Sequence, residues 1–176
     1  MIQLYAKLTL MVTVLLTALS ALALPEDSQQ PIHVASDKAF IDRPGGTLVY
    51  TGNVKMNQGT LRIEADKITI TQNDDGLQKV VAEGKPARYE QVINPKQDKT
   101  HAFGETIIYE TYNDQLTLLV NAGLTKQGNE FKGEKIVYLI EQQKVKAESP
   151  KQDERIRMVI QPKNNGEKQE KPPTEE

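Results

Sequence analysis

IEADKITI, residues 63–70, returns in altered form as VASDKAFI at 34–41, AFGETIIY at 102–109 and FKGEKIVY at 131–138. Apolar or small residues hold places one, three, six and eight: Ile63, Ala65, Ile68 and Ile70 in one copy, Phe131, Gly133, Ile136 and Tyr138 in another. Successive side chains of a strand point to opposite faces, so the odd step from place three to place six would send the second pair to the wrong side. A bend or bulge between the pairs returns both to one interior. It also leaves the acidic residue, Asp37, Asp66, Glu105 or Glu134, exposed at the corner. The repeated phrase reads as a corner that the fold turns four times.

The copies start at 34, 63, 102 and 131, so the intervals are 29, 39 and 29. Assigning most of the middle excess to the polar loop NPKQDKT at 94–100 leaves an internal period near 29. Between the copies a hydrophobic run ends in a small turn: LVYTGNV at 48, VVAEGKP at 80, LLVNAGL at 118 and VKAESP at 145. Each unit is expected to be a strand pair with a tight return, the glycines of TGNV and MNQG lying between strands. Arg43 to Gly46 and Asn73 to Gly76 have hairpin-loop composition. Helical spacing is sustained nowhere between residues 31 and 161.

Bulk properties narrow the function. The 176 residues hold 22 Lys plus Arg against 24 Asp plus Glu, a formal charge of −2 that exerts no broad pull on nucleic acid. No cysteine is present, which excludes disulfides, thiolate metal sites and catalytic thiols. Lys7, an apolar run over 8–19 and Ala21-Leu22-Ala23 predict a cleaved signal peptide at residues 1–23. The rival reading, a membrane anchor, has only the 17 residues 8–24 to work with, and these include Thr and Ser and lack a basic stop. Export of a chain without cysteine suits a bacterial periplasm. Residues 162–176 are rich in Lys, Glu, Pro and Asn and predict a disordered polar tail, leaving 24–161 as one β-domain.

Catalytic and metal readings find little. His33 and His101 are single and far apart, without metal-ligand spacing, so no metal or cofactor is expected. The four corner acids could be paired carboxylates for glycoside hydrolysis. Each is followed by Lys or Thr, however, as a solvated bend requires. The expected fold is all-β: about sixteen short antiparallel strands with internal repeats, closing on themselves as a flattened barrel or sandwich in the manner of a jelly roll or short solenoid. Inward positions are mostly Ile, Val, Leu and Ala, which suits either a packed core or an apolar trough.

QPIHVASDKAFID, TGNVKMNQGTLRIEADKI, GKPARYEQ, HAFGETIIYE and FKGEKIVYLIEQQKVKA, in this order and spacing from residue 30 to 160, resemble the OstA-like, LptA-type family of periplasmic lipopolysaccharide-transport proteins. The resemblance implies a twisted, partly open antiparallel β-jellyroll whose interior shelters the lipid A acyl chains. It implies a non-enzymatic carrier joined head to tail into a bridge between the membranes. Related β-domains of the inner- and outer-membrane transport complexes would stand at its ends. Matching the motifs residue by residue puts Ile32, Val34 and Tyr89 on the lipid face, although Arg-Tyr-Glu at 88–90 departs from a more apolar family pattern. The alternation of the strands adds Ile68, Ile70, Ile107, Ile136 and Tyr138.

The two ends of such a sheet do not meet, so each presents unpaired backbone groups. The joining edges are expected at Ile32, His33 and Val34 and in a last strand over 154–161. There Ile156, Met158 and Ile160 share one face and Arg155, Arg157 and Val159 the other. A ligand-free self-associating scaffold and a periplasmic carbohydrate-active enzyme remain as alternatives.

Overall fold

The computed structural model describes residues 27–92, 99–149 and 155–162. The expected signal peptide lies outside the described residues, as does the expected tail beyond Pro162, which is itself exposed. Ten strands form a single antiparallel sheet: β1 (Ile32–Ala35), β2 (Lys38–Asp42), β3 (Thr47–Gln58), β4 (Leu61–Asn73), β5 (Gly76–Val92), β6 (Lys99–Glu110), β7 (Gln115–Lys126), β8 (Asn129–Leu139), β9 (Lys144–Glu148) and β10 (Arg157–Val159). Two short 3-10 turns, Asp27–Gln29 and Thr111–Asn113, complete the described elements. The sheet order is β1-β3-β4-β5-β6-β7-β8-β10, with β2 also on β3 and β9 also on β8.

The corner is where the repeated phrase puts it, but the chain crosses it without stopping. Pairing slips between Thr51 and Val54, Glu64 and Lys67, Glu83 and Ala87, Phe103 and Thr106, and Leu119 and Ala122. These slips form one line across the sheet, along which it folds into two layers. The layer holding Val54–Gln58 and its neighbours ends at β1 and β10, and the layer holding Thr47–Thr51 ends at β2 and β9. About sixteen short strands are thus ten strands in fact: β3 to β8 each supply a half-strand to both layers, and sixteen half-strands result. The small residues of TGNV and VVAEGKP mark mid-strand corners and not returns between strands, because a bulge needs the same permissive backbone as a turn. At Gly104 a Cβ would stand 2.9 Å from the Leu119 carbonyl oxygen, so the strands can approach there only without a side chain.

Register puts places one, three, six and eight of the phrase on one interior, and Ile63, Ile68, Ile70, Ala102, Ile107, Tyr109, Ile136 and Tyr138 are buried in one cluster drawn from both layers. Asp37, Asp66 and Glu105 are exposed, whereas Glu134 is half-buried. The first copy departs further: Ala39 and Ile41 are exposed because β2 is an edge strand with no neighbour beyond it. Of the expected polar loop at 94–100, Lys99 and Thr100 open β6, and residues 94–98 lie outside the described residues. Much of the long middle interval comes instead from β5, which at 17 residues is longer than its neighbours.

One corner is strained. Val120 has φ +60° where the matching corner of β3 has Gly52 at +86°, and a β-branched side chain resists that region. Val120 is 40% exposed, so its side chain contributes little packing. Val120→Gly is expected to stabilise the fold by about 1 kcal/mol, raising the midpoint by about 2–4 °C in a thermal melt; an unchanged or lowered midpoint overturns this account.

Candidate functional site

The two layers meet at the corner, and opposite it lies a seam between their turn tips. Polar groups line that seam. Lys126, at the tip of one layer, donates to the Tyr138 hydroxyl of the other at 2.8 Å and stands 5.1 Å from its ring centroid. Farther along, the Tyr89 hydroxyl donates to Gln91 Oε1, and Gln91 Nε2 donates to Asp27 Oδ2 at 2.8 Å. Asp27 also accepts from the Thr60 hydroxyl at 2.6 Å and the Thr60 backbone N–H at 2.7 Å, which ties the first 3-10 turn across the end of β3 and β4. Inside, Tyr89 and Tyr109 face each other from opposite layers with centroids 6.3 Å apart. Burial pushes both phenols up, Tyr109 to about 12, so both remain neutral at ordinary pH and the interior stays apolar.

At the first-strand end the layers part. Ile32, Val34, Leu48, Tyr50 and Ile70 line a cleft of about 690 Å³ together with the polar His33, Lys55, Asn57 and Gln72. That volume is within the range of about 300–1,000 Å³ that holds small ligands. At the same end Phe40 is 66% and Ile41 51% exposed, and at the other end Ile156, Met158, Val159 and Ile160 are between 42% and 68% exposed. These are six of the eight large hydrophobics exposed among the described residues, and all flank or belong to a free sheet edge.

The family described as "LptA/(LptD N-terminal domain) LPS transport protein" matches residues 33–144. The chain belongs to this family. Among its LptA-type relatives, the lipopolysaccharide export system protein LptH of Pseudomonas aeruginosa is 41% identical over 152 residues, 81% of this chain and 86% of that protein. The lipopolysaccharide export system protein LptA of Escherichia coli K12 is 36% identical over 163 residues, 91% of this chain and 86% of that protein. The crystal structure of Pseudomonas aeruginosa LptH, described as the LptA-homologous periplasmic component of the lipopolysaccharide transport device, superposes with a TM-score of 0.71 at 39% identity, covering 78% of this chain and 100% of that one.

In this LptA-type chain the residues expected on the lipid face divide into two groups. Ile32, Val34 and Ile70 meet in the cleft, Ile70 being also one of the fully buried interior residues. Ile68, Tyr89, Ile107, Ile136 and Tyr138 are fully buried in the packed interior. Sequence reasoning missed Leu48 and Tyr50 of the cleft wall. Both stand at inward places of β3, so alternation on that strand carried the signal.

The expected edge residues Ile32, His33 and Val34 lie on β1, whose far side is free. The expected last strand over 154–161 is shorter: Arg157, Met158 and Val159 form β10, Arg155, Ile156 and Ile160 flank it, and residue 154 lies outside the described residues. Met158 pairs with inward-facing Phe131, and Arg157 with outward-facing Lys132, so the two faces divide as the alternation requires. Sequence reasoning also missed that each edge has two parts, β2 beside β1 and β9 beside β10.

Among the described residues no group of His, Asp and Glu could hold a metal ion, and no helix is long and apolar enough to cross a membrane.

Proposed function

We propose that this chain is a periplasmic carrier of lipopolysaccharide that takes lipid A acyl chains between its two layers, works without catalysis and is exported by cleavage of residues 1–23. Copies join end to end, and related β-domains of the inner- and outer-membrane transport complexes cap the resulting bridge. The observation that carries this reading is the coincidence of an apolar interior, open as a cleft at the β1 end, with apolar residues exposed at both free edges. Each methylene moved from water into such an interior gains about 0.8 kcal/mol, so acyl chains have ample drive to enter. A sheet that continues from copy to copy would extend that interior without a break. The names of the relatives support the same cargo.

Val34 is half-buried in the cleft, so Val34→Asp would set a carboxylate against acyl chains while disturbing the empty protein little. An ionised group left unpaired there costs at least about 2–3 kcal/mol. Co-purified or photo-crosslinked lipopolysaccharide is expected to fall at least tenfold in the folded variant. Undiminished capture removes β1 from the lipid path, and a wild-type protein that carries no lipid favours the scaffold instead.

A further inference from the structure

The fold is built twice over. β3 and β7 begin and end 68 positions apart, as do the starts of β4 and β8. Corner chemistry keeps the same step at Asp37 and Glu105, Asn53 and Asn121, and Lys67 and Lys135, while Glu83 and Glu148 stand 65 apart. Asn53 donates to Asp37 at 3.2 Å and Asn121 to Glu105 at 3.1 Å, while Lys67 pairs with Glu83 at 2.8 Å and Lys135 with Glu148 at 3.3 Å. In this scheme β1 and β2 together match β6. β9 and β10 together match β5, because Glu148 lies opposite Lys135 as Glu83 lies opposite Lys67, and Met158 opposite Phe131 as Tyr89 lies opposite Ile63. In mid-molecule the two halves are joined by the β5–β6 ladder. The free edges are therefore one strand pair of β6 type and one of β5 type, each lacking the partner that the other supplies.

We propose that copies of this chain join by repeating the β5–β6 ladder, with β9 and β10 of one copy against β2 and β1 of the next. This rests on the end-to-end reading above and adds its register. Internally, Lys79 lies opposite Glu110, Val80 opposite Tyr109, Ala82 opposite Ile107 and Glu83 opposite Thr106. Carried to the joint, these become Lys144 with Asp42 of the next copy, Val145 with Ile41, Ala147 with Ala39 and Glu148 with Lys38. In the other layer, Tyr89 opposite Ala102 and Gln91 opposite Thr100 become Met158 with Val34 and Ile160 with Ile32.

Across the joint in this register both charge and hydrophobicity match. Opposite charges meet at the two ends of the β9–β2 pairing, and Lys144 with Asp42 reproduces the internal Lys79–Glu110 ion pair at 3.5 Å. The exposed Ile41, Met158 and Ile160 each gain an apolar neighbour on the inward face, and exposed Phe40 falls opposite Lys146, whose stem and ammonium can cover its ring. Alternatives fit worse. A slip of one residue turns every side chain to the wrong face. A slip of two sets Lys146 against Lys38 in one direction, and in the other leaves Lys38 without Glu148.

The chain has no cysteine, so introduced pairs report register cleanly. Directly opposed strand residues have Cα atoms about 4.5–5.5 Å apart, within disulfide reach, whereas residues two places off do not. Full-length Ala39→Cys mixed with Ala147→Cys is expected to form a disulfide dimer under mild oxidation with at least tenfold the yield of Ala39→Cys mixed with Val145→Cys. Charge exchange is the second reading: Lys38→Glu should weaken assembly about threefold and Glu148→Lys in the same chain should restore it. A wild-type chain that stays monomeric overturns the end-to-end reading itself. A wild type that assembles while the 39–145 pair links as well as or better than 39–147 overturns the register alone.

Discussion

Ile41→Asp is expected to fold as the wild type does and to stay monomeric at concentrations where the wild type assembles. In the free chain Ile41 is 51% exposed at the edge of the sheet, so a carboxylate there keeps most of its water. Its pairing with Leu48 on β3 uses backbone groups that the substitution leaves in place. In the proposed joint the same position lies on the inward face opposite Val145, between two apolar interiors. Stranding an ionised carboxylate there costs about 3 kcal/mol or more, which is at least a hundredfold in association. Light scattering across a dilution series reads the assembly and a thermal melt reads the fold. Assembly at wild-type concentrations would show that β2 is not part of the joint. A large fall in midpoint would show that Ile41 supports the isolated fold, and the exposure argument would then be wrong.

Much of this fold was legible because period-2 alternation and a repeated interruption of it are both local signals. The step from Ala65 to Ile68 specified a corner, and the register slip between Glu64 and Lys67 is that corner. What alternation does not reveal is whether a strand continues through its bulge. The glycine in TGNV has the same composition in a mid-strand corner as in a hairpin return, so the sixteen half-strands were read as separate strands. Edge position was hidden for a related reason. Ala39 and Ile41 occupy the places that Ile68 and Ile70 occupy in the second copy, and only the missing neighbour beyond β2 leaves them exposed.

The candidate site was legible in part for the same cause. Alternation identifies the inward face of every strand but not where along the sheet the layers separate. Ile32, Val34 and Ile70 reach the cleft, while Ile68, Ile107 and Ile136, identical to them by pattern, are sealed in the interior. Separation occurs at the end where β1 is short and the opposite layer ends in an edge strand. That is a property of the whole sheet, carried by no single stretch of residues. The seam residue Lys126 is likewise set facing Tyr138 by the fold of the two layers.

Ile136→Ala is expected to be the mirror image of Val34→Asp: a large loss of stability with lipid capture retained by the folded fraction. Ile136 is fully buried between Leu118 of β7 and Ala147 of β9, one strand in from the β9 edge. Removing buried methyl and methylene groups from such a position costs about 2–5 kcal/mol, because the neighbours close the cavity only partly. For a domain of this size the thermal midpoint should fall by roughly 5–15 °C. Val34, half-exposed to the cleft, has less packing to lose and, on the proposed lipid path, more contact with cargo to disrupt. Measured side by side, the two variants separate core from conduit: stability should follow burial at 136, and lipid capture should follow the cleft at 34. If Ile136→Ala left the midpoint within 2 °C but abolished capture, the interior around it would be an open lipid path and not a packed core. The division of the inward residues into cleft and interior would then have to be redrawn around β8.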